Sequence, residues 1–158
     1  MKIAIYTDGA ASGNPGPGGY GVVLISAQGH YKEISEGYRN TTNNRMELLS
    51  VIVALESLKK PCDAVTIFSD SKYVVDSVQK GWVYNWVKTG FKGKKNADLW
   101  KRYLAVSKLH KVSFEWVKGH TGNKYNEICD KLAVAASKKK ILKIDEGYEQ
   151  SIADDGLF

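Results

Sequence analysis

Only two cysteines occur in the 158 residues, Cys62 and Cys129, with no CxxC spacing. A disulfide framework and a thiolate metal cluster are therefore excluded, and a reducing cytoplasm is the expected home. Histidine is nearly as scarce, at three, so no site of paired imidazoles is available. Apolar runs are short as well. Val51 to Leu55 is among the longest, far below the ~20 residues of a membrane-spanning helix. Met1-Lys2 leads straight into a strand-like run where a secretory leader would have its apolar stretch. Repeats and low-complexity segments are absent. The remaining expectation is one domain, large enough to bury a core without staples.

Basic residues are missing from one end. After Lys143 come Asp145, Glu146, Glu149, Asp154 and Asp155 with no Lys or Arg, so the net charge of +6 understates how basic the rest is. Residues 1 to 143 hold 23 basic against 12 acidic residues, a formal +11. That balance suits a polyanion. The segment 144–158 reads as an acidic, poorly ordered C-terminal tail, docked at most through Tyr148. A solvated tail is a simpler reading than one folded back over a basic groove.

The patterning gives a mixed α/β chain. Three early strands, Lys2 to Thr7, Tyr20 to Ser26 and Tyr31 to Tyr38, are joined by Gly-containing turns and are expected to be antiparallel. A helix from Asn44 to Lys59, a strand from Ala64 to Ser69 and a helix starting near Ser71 follow. Beyond a basic, aromatic insertion over residues 82–96, Ala97 to Leu109 reads as helix, Val112 to Val117 as strand and Lys124 to Lys139 as helix. The result is a mixed five-stranded sheet with helices on its faces.

Four acids stand out against this pattern. Asp8 and Asp70 close the β-branched runs Ile3 to Thr7 and Val65 to Ser69, and carboxylates at the tips of adjacent parallel strands lie side by side. Glu47 falls in the first turn of a helix that Asn43 or Asn44 is placed to cap. Asp130 interrupts a helical run whose stripe of Ile128, Leu132 and Ala135 marks the core side. Each alone is an ordinary surface acid or cap. Brought together, the four make a metal site.

Other motifs sharpen or limit this reading. Gly16 to Gly21 matches the dinucleotide pattern GxGxxG, but the run after it, Gly21-Val22-Val23-Leu24-Ile25, is a strand and not a helix. A tight turn accounts for most of these glycines. From Lys80 to Arg102, seven basic residues (Lys80, Lys88, Lys92, Lys94, Lys95, Lys101, Arg102) face one acid, Asp98, and Trp82, Tyr84, Trp86, Phe91 and Trp100 are interleaved. Cations among rings suit a nucleic-acid backbone, although Trp86 and Trp100 serve equally well as core anchors.

Tyr6-Thr7-Asp8-Gly9, the run Gly13 to Gly21, Thr41-Thr42-Asn43-Asn44-Arg45-Met46-Glu47-Leu48, Ser69-Asp70-Ser71 with Tyr73-Val74, and Trp116-Val117-Lys118-Gly119-His120 followed by Asn126-Glu127 and Cys129-Asp130 closely resemble type 1 ribonuclease H of the bacterial kind. The resemblance runs in order to about Tyr148. It implies a ribonuclease H-like fold over residues 1–143, with a basic handle at about 80–96. It also implies an endonuclease that cuts the RNA strand of RNA/DNA hybrids with two Mg²⁺ ions, Mn²⁺ being a substitute, and leaves 5′-phosphate and 3′-hydroxyl ends.

By the same resemblance, Asp8, Glu47, Asp70 and Asp130 are the metal ligands and His120 is a mobile general acid/base or product-release residue near them. Asn14, Asn43 and Asn44 lie in the minor groove of the duplex, Trp82 and Lys88 belong to the handle, and Thr42 and Asn96 seat a DNA phosphate. Lys72 stands where many relatives have Gln or Asn, so a charge replaces one neutral contact there. A cytoplasmic monomer is expected. The rivals are a non-catalytic hybrid-binding module, which has no need of four clustered acids, and a DNA-cutting integrase or junction resolvase, which fits the asparagine pair and handle poorly.

Overall fold

A computed structural model describes residues 2–119 and 122–155. The chain runs β1 (Lys2–Ala11), β2 (Gly16–Ser26), β3 (Tyr31–Thr41), α1 (Asn43–Glu56), β4 (Ala64–Ser69), α2 (Lys72–Gln79), α3 (Trp82–Lys88), α4 (Ala97–Ser107), β5 (Val112–Trp116), α5 (Lys124–Ser137) and α6 (Glu146–Asp155). The sheet order is β3-β2-β1-β4-β5, with antiparallel β1–β2 and β2–β3 pairs and parallel β1–β4 and β4–β5 pairs. The expected mixed five-stranded sheet, three antiparallel strands followed by parallel ones, is present.

The early strands are longer than their apolar runs. Gly16–Gly21 lies within β2 and is not a turn, because the β1–β2 ladder continues through Asp8↔Gly21 to Ala11↔Gly18. Glycine serves here for closeness: a Cβ on Gly21 would stand 2.3 Å from the carbonyl oxygen of Cys129 in α5. That approach also corrects the expected face of α5. Cys129, Ala133 and Ala136 are the buried positions, and not the stripe Ile128, Leu132 and Ala135, because only small side chains fit where the helix rides on the glycines of β2.

The core is built around α1. Met46, Leu48, Val51, Ile52, Ala54 and Leu55 are fully buried, packed with Ile5, Val22, Ile67, Trp100 and Tyr103. A helix apolar on nearly all sides has to lie inside the fold. Trp100 is a core anchor whose indole N–H donates to the Tyr73 hydroxyl at 2.8 Å.

Where the acidic composition suggested a poorly ordered tail, the structure places α6. Asp145 is buried, its carboxylate accepting from the Thr41 hydroxyl at 2.7 Å and from Arg45 Nε at 2.8 Å, and Glu149 pairs with Arg39 at 2.7 Å. Arg39 on β3 and Arg45 on α1 pair with two of the segment's acids, a complementarity between residues about a hundred positions apart that composition does not reveal.

Candidate metal centre and duplex-facing cleft

The β1–β4 ladder ends at Tyr6↔Phe68, while β1 continues alongside β2. Asp8 and Asp70 therefore lie just past the last parallel rung, where the sheet opens and ligands bind in α/β folds. The turn after Asp70 is fixed locally. Ser69 Oγ accepts from Ser71 N–H at 3.1 Å, Ser71 Oγ caps α2 by accepting from Val74 N–H at 3.2 Å, and the Trp116 indole N–H donates to the Asp70 carbonyl at 3.2 Å.

Glu47 reaches the same place from α1. The cap of α1 is Thr42, whose Oγ1 accepts from Arg45 N–H at 3.2 Å. Asn43 and Asn44, the expected caps, lie inside the helix. Asn43 Oδ1 instead accepts from Ala11 N–H at 2.5 Å, and Asn14 Oδ1 accepts from Asn43 N–H at 2.9 Å. The start of α1 is thereby tied to the end of β1 and to the following turn.

Oxygen atoms of Asp8, Glu47 and Asp70 lie within 4.8 Å of one another. Asp130, at half-burial, lines the cleft beside Asp8 and Asp70 but stands outside that tight trio. The expected quartet is thus three clustered carboxylates and a fourth at the rim. Burial, then the Asp70 charge, pushes Asp8 up to about 7, against the smaller pull of a hydrogen bond with Glu47 and the Gly9 N–H at 2.9 Å. Glu47 is raised well above the ordinary carboxylate range, first by burial and then by the charges of Asp8 and Asp70. Like charges in a low-dielectric cleft favour protonation or a cation between them.

The donor set decides which cation. Among the described residues every clustered ligand is a carboxylate, and both cysteines are buried outside that cluster. Glu47 Oε1 and Asn126 Oδ1 are buried acceptors with no partner among the described residues. Orphaned buried oxygens are costly, and oxygen-only ligands select a hard divalent ion. These residues fit such a metal.

Asn43, Asn44, Lys72, Gly9, Ala10 and Tyr73 line the open side of this cleft. The Lys72 ammonium sits 4.1 Å from the centroid of the Trp116 ring, which is 43 % exposed. Trp82 is exposed at the start of α3, with Lys80 Nζ 5.3 Å from its ring centroid, and exposed Lys88 ends the same helix. Asn96 donates from Nδ2 to the Tyr73 hydroxyl at 3.1 Å, which links the handle to the cleft wall. His120 lies outside the described residues. Sequence reasoning passed over Tyr73 and Arg45 as polar parts of this region, and their partners are too distant along the chain to have signalled them. Trp116 had a faint signal, standing at a strand end two residues beyond buried Phe114.

The RNase H family model matches residues 1–138. The chain belongs to the ribonuclease H family. It is 54 % identical over 149 residues to the ribonuclease H of Desulforamulus reducens, covering 91 % of this chain and 92 % of that one. It is 53 % identical over 153 residues to that of Rippkaea orientalis, covering 94 % and 93 %. Identity to the ribonuclease HI of Synechocystis sp. is 47 % over 152 residues, covering 93 % and 94 %. Among solved structures, LC9-RNase H1, described as a type 1 RNase H with the type 2 active-site motif, superposes with a TM-score of 0.77 at 32 % identity, over 96 % of this chain and 80 % of that one. LC11-RNase H1, solved in complex with an RNA/DNA hybrid, gives 0.66 at 27 % identity, over 85 % and 96 %. Family membership makes the chain a hydrolase with ribonuclease H activity, and the family is dependent on divalent metal, with which the acidic cluster is consistent.

Proposed function

We propose that the chain cleaves the RNA strand of RNA/DNA hybrids endonucleolytically with two Mg²⁺ ions, Mn²⁺ substituting, and leaves 5′-phosphate and 3′-hydroxyl ends. The observation that carries this is the Asp8, Glu47 and Asp70 trio, with carboxylate oxygens within 4.8 Å of one another, opening into a cleft rimmed by Asn43, Asn44 and Lys72. Bound at this site, paired divalent ions supply a more acidic water and neutralise charge on the phosphate and the departing oxygen. Asp8, Glu47, Asp70 and Asp130 would hold the ions, Asp8 as the shared ligand, Asp70 on the side that activates water, and Glu47 and Asp130 on the other. His120 is assigned the proton transfers, a task for a side chain that titrates near neutrality.

Substrate choice rests on the rim. Short polar side chains at Asn14, Asn43 and Asn44 suit a wide minor groove that displays ribose 2′-hydroxyls. Thr42 and Asn96 are assigned to a phosphate of the DNA strand, which double-stranded RNA presents in the wrong geometry. Trp82, Lys88 and Lys72 add contacts to the duplex backbone. The hybrid-bound LC11-RNase H1 structure supports this choice of ligand. A non-catalytic binder is disfavoured because buried, mutually repelling carboxylates cost stability with no return in binding. A cytoplasmic monomer remains the accompanying expectation. No helix among the described residues is long and apolar enough to cross a membrane.

One gel tests the reading. Labelled RNA/DNA hybrid, double-stranded RNA and double-stranded DNA are each incubated with Mg²⁺ or chelator, and only RNA in the hybrid with Mg²⁺ is cut. Cleavage in chelator, or equal cleavage of double-stranded RNA, overturns it.

A further inference from the structure

Arg45 is 3 % exposed, and each of its five guanidinium N–H donors has an acceptor. Nε and Nη2 hold the two oxygens of Asp145 at 2.8 and 2.9 Å. Nη1 and Nη2 hold those of Asp98 at 2.9 and 2.7 Å, and Nη1 also donates to Asn96 Oδ1 at 3.3 Å. The cation is saturated and faces two anions, so it has no donor left for a phosphate.

Its effect falls on its neighbours. With Oδ1 taken by Arg45 and one Nδ2 hydrogen donated to the Tyr73 hydroxyl, Asn96 keeps a single free N–H and cannot turn its oxygen outward without losing both bonds. The backbone N–H of Arg45 occupies Thr42 Oγ1, and an accepting hydroxyl keeps its own proton to donate. Asn96 is thus held as a donor by the arginine's guanidinium, while the Thr42 hydroxyl, engaged by the backbone N–H of the same residue, keeps a proton to donate.

We propose that Arg45, clamped by Asp98 and Asp145, is the positioning residue that fixes the Asn96 amide as a neutral donor, beside the Thr42 hydroxyl, in a seat for a backbone phosphate. The inference rests on the assignment of that seat. It gives the acidic C-terminal segment a part in substrate binding: Asp145 also accepts from Tyr148 N–H at 3.2 Å at the start of α6, and a Cβ on Gly147 would meet Asp98 Oδ2 at 2.0 Å and Arg45 Nη2 at 2.8 Å.

The test is a double-mutant cycle read by hybrid affinity in chelator, from the anisotropy of a labelled RNA/DNA duplex, and by steady-state kinetics in Mg²⁺. Arg45→Lys keeps the charge but loses the planar fork. It is expected to weaken hybrid binding and raise KM by about tenfold, with a much smaller change in kcat, and to add nothing on an Asn96→Ala background. Gly147→Ala disturbs the same cluster from α6, outside the sheet core, so it serves if Arg45→Lys fails to fold. Its expected loss of affinity is about threefold, again absent when Asn96 is Ala. If Asn96→Ala binds hybrid as tightly as the parent, the seat itself is wrong and the inference falls with it. If Asn96→Ala is weakened while the loss from Arg45→Lys or Gly147→Ala is fully additive with it, or appears only in kcat, the seat stands and the positioning role is overturned.

Discussion

Gly9 and Glu47 touch through their backbones: a Cβ on Gly9 would stand 2.5 Å from the Glu47 nitrogen and 2.4 Å from the Met46 carbonyl carbon. The glycine next to Asp8 therefore sets how closely α1 approaches β1, and so sets the distance between the carboxylates of Asp8 and Glu47. Gly9→Ala must push the helix outward. A displacement near 1 Å at a metal centre costs about 10²-fold in rate, and overpacking costs about 1–3 kcal/mol in stability. Cleavage rate and unfolding midpoint, measured together, are both expected to fall. A fully active, equally stable variant would show that the approach is not needed.

Asp8→Asn separates chemistry from binding. It should abolish Mg²⁺-dependent cleavage and leave hybrid affinity within about twofold, since the duplex contacts lie on the rim. Cleavage at the parent rate would remove the proposed ligand set.

The same substitution has a pH signature in metal-free protein. Asp8 rises from 3.8 to about 7 on folding, so between these values the folded state holds a proton that the unfolded state has released. The associated stability is complete below about 3.8 and is lost as pH rises toward 7. Asp8→Asn escapes that loss. It should be more stable than the parent at pH 8, on the order of 1 kcal/mol, with the gain vanishing near pH 4. Chelator-treated parent and variant melted across that range give the answer. A variant gain that grows on acidification contradicts the assigned repulsion.

Legibility tracked the distance over which information travels along the chain. The strands β4 and β5, the positions of Asp8 and Asp70 and the helix bearing Glu47 follow from local β-branched runs and turn chemistry, and all were readable. The full lengths of β1 and β2 were not, because the glycines that look like turn signals answer to helices packed across them, Cys129 against Gly21 and Met46 against Gly9. The buried face of α5 is hidden from periodicity for the same reason. Asp130 at the rim was placed correctly on its helix, but its separation from the trio depends on how that helix crosses the sheet. The Arg45–Asp145 pair and α6 depend on a contact spanning a hundred residues, for which periodicity carries no signal.

Metal should act as a stabiliser where the carboxylates are ionised. Binding to the folded state alone raises stability by RT ln(1 + [L]/Kd), about 2.7 kcal/mol at a hundredfold excess over Kd. Mg²⁺ must displace protons from Asp8 and Glu47, both raised by burial, so the gain should be larger at pH 8 than at pH 5.5. Thermal melts with and without Mg²⁺ at the two values measure it, and Asp8→Asn should lose most of the gain. A shift equal at both values and unchanged in the variant would place the ion elsewhere.

Asp145 ties the last helix to the site-bearing one, and its removal should be costly. Its two oxygens accept four hydrogen bonds, two from Arg45 and one each from the Thr41 hydroxyl and the Tyr148 N–H. Asp145→Ala leaves the buried Arg45 paired only with Asp98, whose side chain is 48 % exposed. Breaking a buried pair by removing one partner costs about 3–5 kcal/mol, and because Asp98 keeps part of the pairing the lower end of that range is expected. Deleting residues 144–158 removes the same anion and should cost at least as much. Urea unfolding of both variants decides between an integral strap and a dispensable tail: a loss under about 1 kcal/mol in either would mean that the segment is not needed for the fold.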